Sequence, residues 1–189
     1  GTTVRVVVSY TDGQGTAESL TSAAVGPIAS VNDAPSGTPV VTGTATEAQT
    51  LGVNTAGIAD ADGLGAFSYQ WQRNGSNIAG ASASTYLLGD ADVGANIRVV
   101  VSYTDARGTA ESLTSAAFGP VANVNDAPSG APVVSGTATE DQTLTADTSS
   151  IADADGLAAF SYKWQRDGVA IAGTTASTYT LGDADVGTS

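Results

Sequence analysis

The chain has 189 residues, with 6 Lys+Arg against 19 Asp+Glu and a formal net charge of -13. It contains no Cys, His or Met, which excludes disulfides, Cys/His zinc sites and His-dependent triads. So acidic a chain repels nucleic acid and anionic lipid, and no apolar run approaches the ~20 residues that span a bilayer.

The first residues are Gly1-Thr2-Thr3, without Met and without a basic segment leading into an apolar stretch. The expectation is a processed product or a segment of something longer. The β-branched run Val4-Arg5-Val6-Val7-Val8-Ser9-Tyr10-Thr11-Asp12 follows, and it returns as Ile97-Arg98-Val99-Val100-Val101-Ser102-Tyr103-Thr104-Asp105. Tyr69-Gln70-Trp71-Gln72-Arg73 likewise returns as Tyr162-Lys163-Trp164-Gln165-Arg166. Both offsets are 93 residues. That length exceeds a solenoid repeat and suits one small sandwich domain. The single lysine, Lys163, is Gln70 in the other copy, which counts against Schiff-base, Ser–Lys and isopeptide chemistry.

The joint between repeats is Val31-Asn32-Asp33-Ala34-Pro35-Ser36-Gly37, repeated as Val124-Asn125-Asp126-Ala127-Pro128-Ser129-Gly130. Pro beside Gly is linker composition. Cutting there gives the tail of one repeat at 1–33, a complete repeat at 34–126 and the head of another at 127–189. The tail matches residues 94–126 at 25 of 33 positions, and residues 34–96 match 127–189 at 45 of 63. Tail and head together make one repeat, with Gly187-Thr188-Ser189 overlapping Gly1-Thr2-Thr3. Two explanations stay open. One is an arbitrary window on a tandem array. The other is a head completed by the tail of another chain, which repeated head to tail makes an open filament.

Within the complete repeat, Thr38–Thr42 reads as a first strand, with Pro39 near its start. Gln49–Val53 is a second. Phe67–Arg73 alternates aromatic and polar, so one face is buried. Asn74-Gly75 is a tight-turn signal. Thr85–Leu88 is a further strand. Ile97–Tyr103 is expected to be central, with Ile97, Val99, Val101 and Tyr103 facing inward. Residues 105–108 turn the chain into a last strand over Thr109–Ala117. No segment shows a sustained helical period with caps. The class is all-β, and strand number and spacing suit a Greek-key sandwich.

These residues support a resemblance. Tyr69-x-Trp71, Arg73-Asn74-Gly75, Ile78-Ala79-Gly80, Ser84-Thr85-Tyr86 and Asp92-Val93-Gly94 resemble the strand pattern of immunoglobulin-type domains. The paired cysteines and the corner tyrosine of antibody domains are absent. The Val-Asn-Asp-Ala-Pro joint is similar to the linkers of bacterial cadherin-like and Ig-like tandem repeats, which build the stalks of large surface adhesins, often exported by type I secretion. The resemblance implies tandem immunoglobulin-like Greek-key β-sandwich domains without disulfides, outside the cell or on a bacterial surface.

The acids sit in loops rather than strands. In an Ig-like topology the Asp60/Asp62 loop and Asp105 lie at the tip beside the preceding linker. Glu47, Asp90 and Asp92 lie at the opposite tip, beside the following one. Each junction then collects hard oxygen ligands, which suit Ca²⁺, and cadherin-like linkers work in this way. The expected ligands at the second junction are Asn125, Asp126, Asp153 and Asp155, then Glu47 and Asp92. Asn32, Asp33, Asp60 and Asp62 are the counterparts at the first. Against this stands the common use of Asp as a plain turn residue.

The leading expectation is a non-catalytic extender of a bacterial extracellular adhesin or matrix protein, stiffened by Ca²⁺ at its junctions. Its partners are neighbouring repeats of the same chain, or identical chains head to tail. One alternative is a self-assembling filament subunit in which N-terminal strands complete the C-terminal domain of the next chain. Another is a ligand-binding Ig-like module. No enzyme is expected: the paired carboxylates lie in short tip loops, and Trp71 and Trp164 lie on a core pattern.

Overall fold

The computed structural model describes residues 1–187; Thr188 and Ser189, part of the expected overlap, lie outside the described residues. The chain is nearly all β, in antiparallel sheets. In chain order the strands are β1 (Val7–Thr11), β2 (Ala17–Thr21), β3 (Val40–Thr42), β4 (Thr50–Asn54), β5 (Ser68–Arg73), β6 (Ser76–Asn77), β7 (Thr85–Leu87), β8 (Ile97–Thr104) and β9 (Ala110–Thr114). They continue as β10 (Val133–Ser135), β11 (Thr143–Asp147), β12 (Gln165–Arg166), β13 (Val169–Ala170) and β14 (Thr178–Thr180). Short 3₁₀ turns form at Asp90–Asp92 and Asp183–Asp185. The chain divides into two compact units, one of residues 1–44, 50–86 and 96–118, the other of 45–49, 87–95 and 119 onward.

In the first unit, strand order β6-β5-β8-β9 forms one sheet and β3-β4-β7 another. The alternation of β8 decides its place. Ile97, Val99 and Val101 are fully buried and Tyr103 is 5 % exposed, while the intervening Arg98, Val100 and Ser102 are half-buried. Its neighbour β5 sets Trp71 opposite Val99. Trp71 is fully buried, its indole N–H donates to the Ala83 carbonyl at 2.9 Å, and its ring stacks on Tyr86 at 5.8 Å. Burial with a satisfied N–H is what a core tryptophan requires. Phe67 meets Tyr103 edge to face at 5.6 Å. The β5–β6 turn places Asn74 and Gly75 at φ 46° and 87°, the left-handed pair that two-residue hairpins favour. The last strand is shorter than expected. It ends at Thr114, because the Ser115 hydroxyl then accepts the Val99 N–H at 3.0 Å in place of a strand carbonyl.

The same unit holds the hairpin β1–β2. Its register, Val8 opposite Leu20 and Tyr10 opposite Glu18, repeats that of β8–β9, Val101 opposite Leu113 and Tyr103 opposite Glu111. Its surroundings differ. Val6, Val8 and Tyr10 are 58 %, 55 % and 51 % exposed.

The second unit carries a three-stranded sheet of order β10-β11-β14 and the hairpin β12–β13. Its local chemistry copies the first. The Trp164 N–H donates to Ala176 at 3.0 Å, Trp164 packs on Tyr179 at 5.6 Å, and Asp167-Gly168 repeats the left-handed turn. Residues 161–164, which correspond to the laddered stretch Ser68–Trp71, pair with no strand among the described residues.

Two substitutions test this account. Trp71→Ala is expected to lower stability by about 3–5 kcal/mol in urea unfolding. Gly37 sits at φ 81°, where a Cβ would collide with the Gly57 carbonyl. Gly37→Ala is therefore expected to cost about 1–3 kcal/mol, with no loss of strand content by circular dichroism.

Candidate metal centre

The two linkers are fixed by one recurring hydrogen bond. At the first, the Asp33 N–H donates to Asp62 Oδ2 at 2.8 Å. At the second, the Asp126 N–H donates to Asp155 Oδ2 at 2.8 Å. In each Asp-Ala-Asp loop the second Asp also donates its own amide to the first, Asp62 to Asp60 at 2.8 Å and Asp155 to Asp153 at 3.0 Å. The loop therefore turns on its first carboxylate and receives the linker on its second. Both acids do structural work at a turn.

At the first linker every Asp60 and Asp62 oxygen has a protein donor. Asp60 Oδ2 accepts the Tyr103 hydroxyl at 2.6 Å, and Asp62 Oδ1 meets the Arg107 guanidinium at 2.9 Å. Burial and then the Asp60 hydrogen bond push the Tyr103 pKa far above its ordinary value. Asn32 turns aside to donate to Glu111 at 2.9 Å. Asp105 is a hairpin residue: its Oδ1 accepts the Arg107 and Thr109 amides, each at 2.8 Å. The Thr109 amide above all holds its pKa below the usual range. The Arg107 guanidinium supplies a positive charge here.

At the second linker the charges are concentrated differently. Glu47, Asp90 and Asp126 each present an oxygen within 4.8 Å of the other two. Glu47 is buried, and its Oε2 accepts the Val124 N–H at 3.0 Å. Its own amide donates to the Ala122 carbonyl at 2.9 Å. Asp90 opens the 3₁₀ turn. The Val124 amide draws the Glu47 pKa down, but the hydrogen bond shared with Asp90, burial and the Asp126 charge raise it on balance. Burial first, then Asp90, Asp155 and Asp153, raise that of Asp126. Asp155 goes the other way, lowered by the Asp126 amide and then by Asn123, which donates to it at 2.7 Å. The Glu–Asp pair recurs in the next repeat, where the hydrogen bond with Asp183 raises Glu140.

The expected ligands thus separate. Glu47 and Asp126 meet. Asp155 and Asp153 flank Asp126, one by hydrogen bond and the other by charge. The Asn125 amide donates back to the Asp126 carbonyl at 2.9 Å. Asp92 is buried and folds onto its own turn, accepting the Gly89 N–H at 3.0 Å. The residue that completes the triad is Asp90. Its signal was in the sequence: in Gly89-Asp90-Ala91-Asp92 the acid three residues after the cap turns back on the cap amide, which leaves the first Asp to face outward. Three carboxylates this close either share protons or attract a hard cation.

No protein family, curated protein or solved structure matches the chain.

The raised values give a signed prediction. Glu47 and Asp126 keep their protons to higher pH in the folded chain than in the unfolded one. Their contribution is full below the ordinary carboxyl range and is lost as pH rises through the raised values. In chelator, stability is expected to fall as pH rises above the ordinary carboxyl range. Glu47→Gln keeps an acceptor for Val124 and removes a charge. It is expected to raise the melting temperature at neutral pH and to flatten that decline; a lower melting temperature would contradict the triad's repulsion.

Proposed function

We propose that the chain is a run of non-catalytic structural repeats, immunoglobulin-like Greek-key sandwiches in tandem, from a bacterial extracellular adhesin or matrix protein. The observation that carries this reading is the linker bond common to both junctions, Asp33 to Asp62 and Asp126 to Asp155. A flexible tether needs no such bond, whereas a spacer that must hold its length gains stiffness from one at every joint. The recurrence of β3, β4 and β7 as β10, β11 and β14, with Trp71 and Trp164 each donating the indole N–H to the carbonyl at the matching position, Ala83 and Ala176, supports the tandem reading. No helix among the described residues is long and apolar enough to cross a membrane.

In this reading Glu47, Asp90 and Asp126 bind Ca²⁺ at the second junction, with Asp153 and Asp155 beside them. The cation takes the place of the shared proton between Glu47 and Asp90, offsets the burial and charge that raise Asp126, and so locks the linker. At the first junction Arg107 pairs with Asp62, and Asp33, Asp60 and Asp62 are the matching acids of that linker.

Extracellular Ca²⁺ modules bind at about 0.1–1 mM. Calorimetry with ~5 mM Ca²⁺ against EDTA is therefore expected to raise the midpoint by about 2–8 °C. Asp90→Asn and Glu47→Gln are expected to abolish the shift, and Arg107→Gln to leave it intact. A midpoint indifferent to Ca²⁺ in the wild-type chain would remove the cation from the proposal.

A further inference from the structure

The last hairpin of the complete repeat reaches the linker that precedes that repeat. Three side chains near its tip make the contacts. Tyr103, the last inward residue of β8, donates to Asp60 Oδ2 at 2.6 Å. Arg107, in the turn, meets Asp62 Oδ1 at 2.9 Å. Glu111, on β9, accepts the side-chain amide of Asn32 at 2.9 Å, from 79 residues earlier in the chain. Tyr103 and Glu111 are direct cross-strand partners, so one piece of ladder carries two of the three contacts.

The backbones close up as well. Residues 63–65 lie against residues 104–106: a Cβ at Gly65 would collide with the Thr104 carbonyl, and one at Gly63 would press on the Ala106 methyl. The consequence is burial. Asp62, which accepts the Asp33 N–H, is 5 % exposed. Asp155 makes the matching bond to Asp126 without a counterpart of β8–β9 among the described residues, and there it is exposed. The bond needs only the loop, whereas its shielding from water needs the hairpin. A hydrogen bond shielded from water is the stronger one.

The tip also carries an opposing cost. Asp105 Oδ1 accepts the Arg107 and Thr109 amides, but Oδ2 is buried with no hydrogen-bond partner. A dry, unpaired carboxylate oxygen disfavours the closed tip, and it regains water when residues 105–108 swing out. Turns open locally in this way while the sheet behind them stays folded.

We infer that the tip Tyr103–Glu111 is a clasp on the linker ahead of its own repeat. Closed, it shields the Asp33–Asp62 bond and fixes the linker; open, it releases the linker while the core around Trp71 stays folded. The hairpin β1–β2 has Tyr10 and Glu18 at the matching places and Gln14 where Arg107 stands, and Ala158 stands where Gly65 does. The tyrosine and glutamate therefore recur, while positions 107 and 65 vary the grip from one repeat to the next. This inference rests on the spacer reading for its use and requires no cation.

Amide hydrogen exchange by NMR on the 189-residue chain in EDTA tests it. Asp33 reports the linker, and Trp71, whose backbone N–H donates to Ala81 at 2.9 Å, reports the core. Both amides are expected to be protected in the wild-type chain, Asp33 less than Trp71. Tyr103→Phe keeps the ring against Phe67 and removes the hydroxyl. It is expected to lower protection at Asp33 about 2- to 10-fold, with a smaller change at Trp71. Glu111→Ala is expected to act in the same sense on Asp33, although Glu111 bonds Asn32, and it keeps the test intact if Tyr103→Phe does not fold. A wild-type Asp33 amide that exchanges at the rate of an unstructured chain overturns the inference and leaves the spacer reading standing. Protection at Asp33 that neither variant moves overturns it too. Equal losses at Asp33 and Trp71 mean that the linker follows global unfolding alone, which is a third contrary result. A Trp71 amide unprotected in the wild-type chain overturns the sandwich reading itself, and the clasp with it.

Discussion

The structure depends on the need to bury one face of a strand. In β8 the inward residues are Ile97, Val99, Val101 and Tyr103, and a strand with that face in water is an unpaired edge beside exposed apolar area. The complete repeat meets the need by laying β8 along β5, with Trp71 as the floor. The hairpin β1–β2 carries nearly the same residues in the same register without that floor. Folding of the hairpin and burial of its face are therefore separable. Turn chemistry and cross-strand pairing determine the first; a sheet of the β5 type determines the second.

A second theme is how charge is managed at the joints. The two linkers share a backbone hydrogen bond to the second acid of an Asp-Ala-Asp loop. Arg107 pairs with Asp62, and every Asp60 and Asp62 oxygen has a donor. At the second linker Asn123 and the Asp126 amide take up Asp155, beside the meeting of Glu47, Asp90 and Asp126. The same motif thus gathers acids at both joints, with Arg107 paired to one of them at the first and Glu47, Asp90 and Asp126 brought together at the second.

The core was legible in the sequence for a local reason. Period-two alternation in Ile97–Tyr103 and Phe67–Arg73 needs no knowledge of the rest of the chain, and neither does Asn74-Gly75, whose φ values follow from the residues themselves. The strand ends were less legible. The last strand stops at Thr114 because the Ser115 hydroxyl takes the Val99 amide, a contact across the sheet that a pattern along one strand does not contain.

The 93-residue period follows from sequence alone because the chain repeats its own residues at that offset, and the all-β class, the inward face of β8 and the burial of Trp71 follow because each rests on spacing between near neighbours. Which acids meet was left to the tertiary structure. Glu47, Asp90 and Asp126 lie on a strand-leading turn, a 3₁₀ turn and a linker, far apart in the chain, and only folding brings their oxygens within 4.8 Å. Asp90 joins them in place of Asp92 because one backbone amide, that of Gly89, had already claimed the second carboxylate.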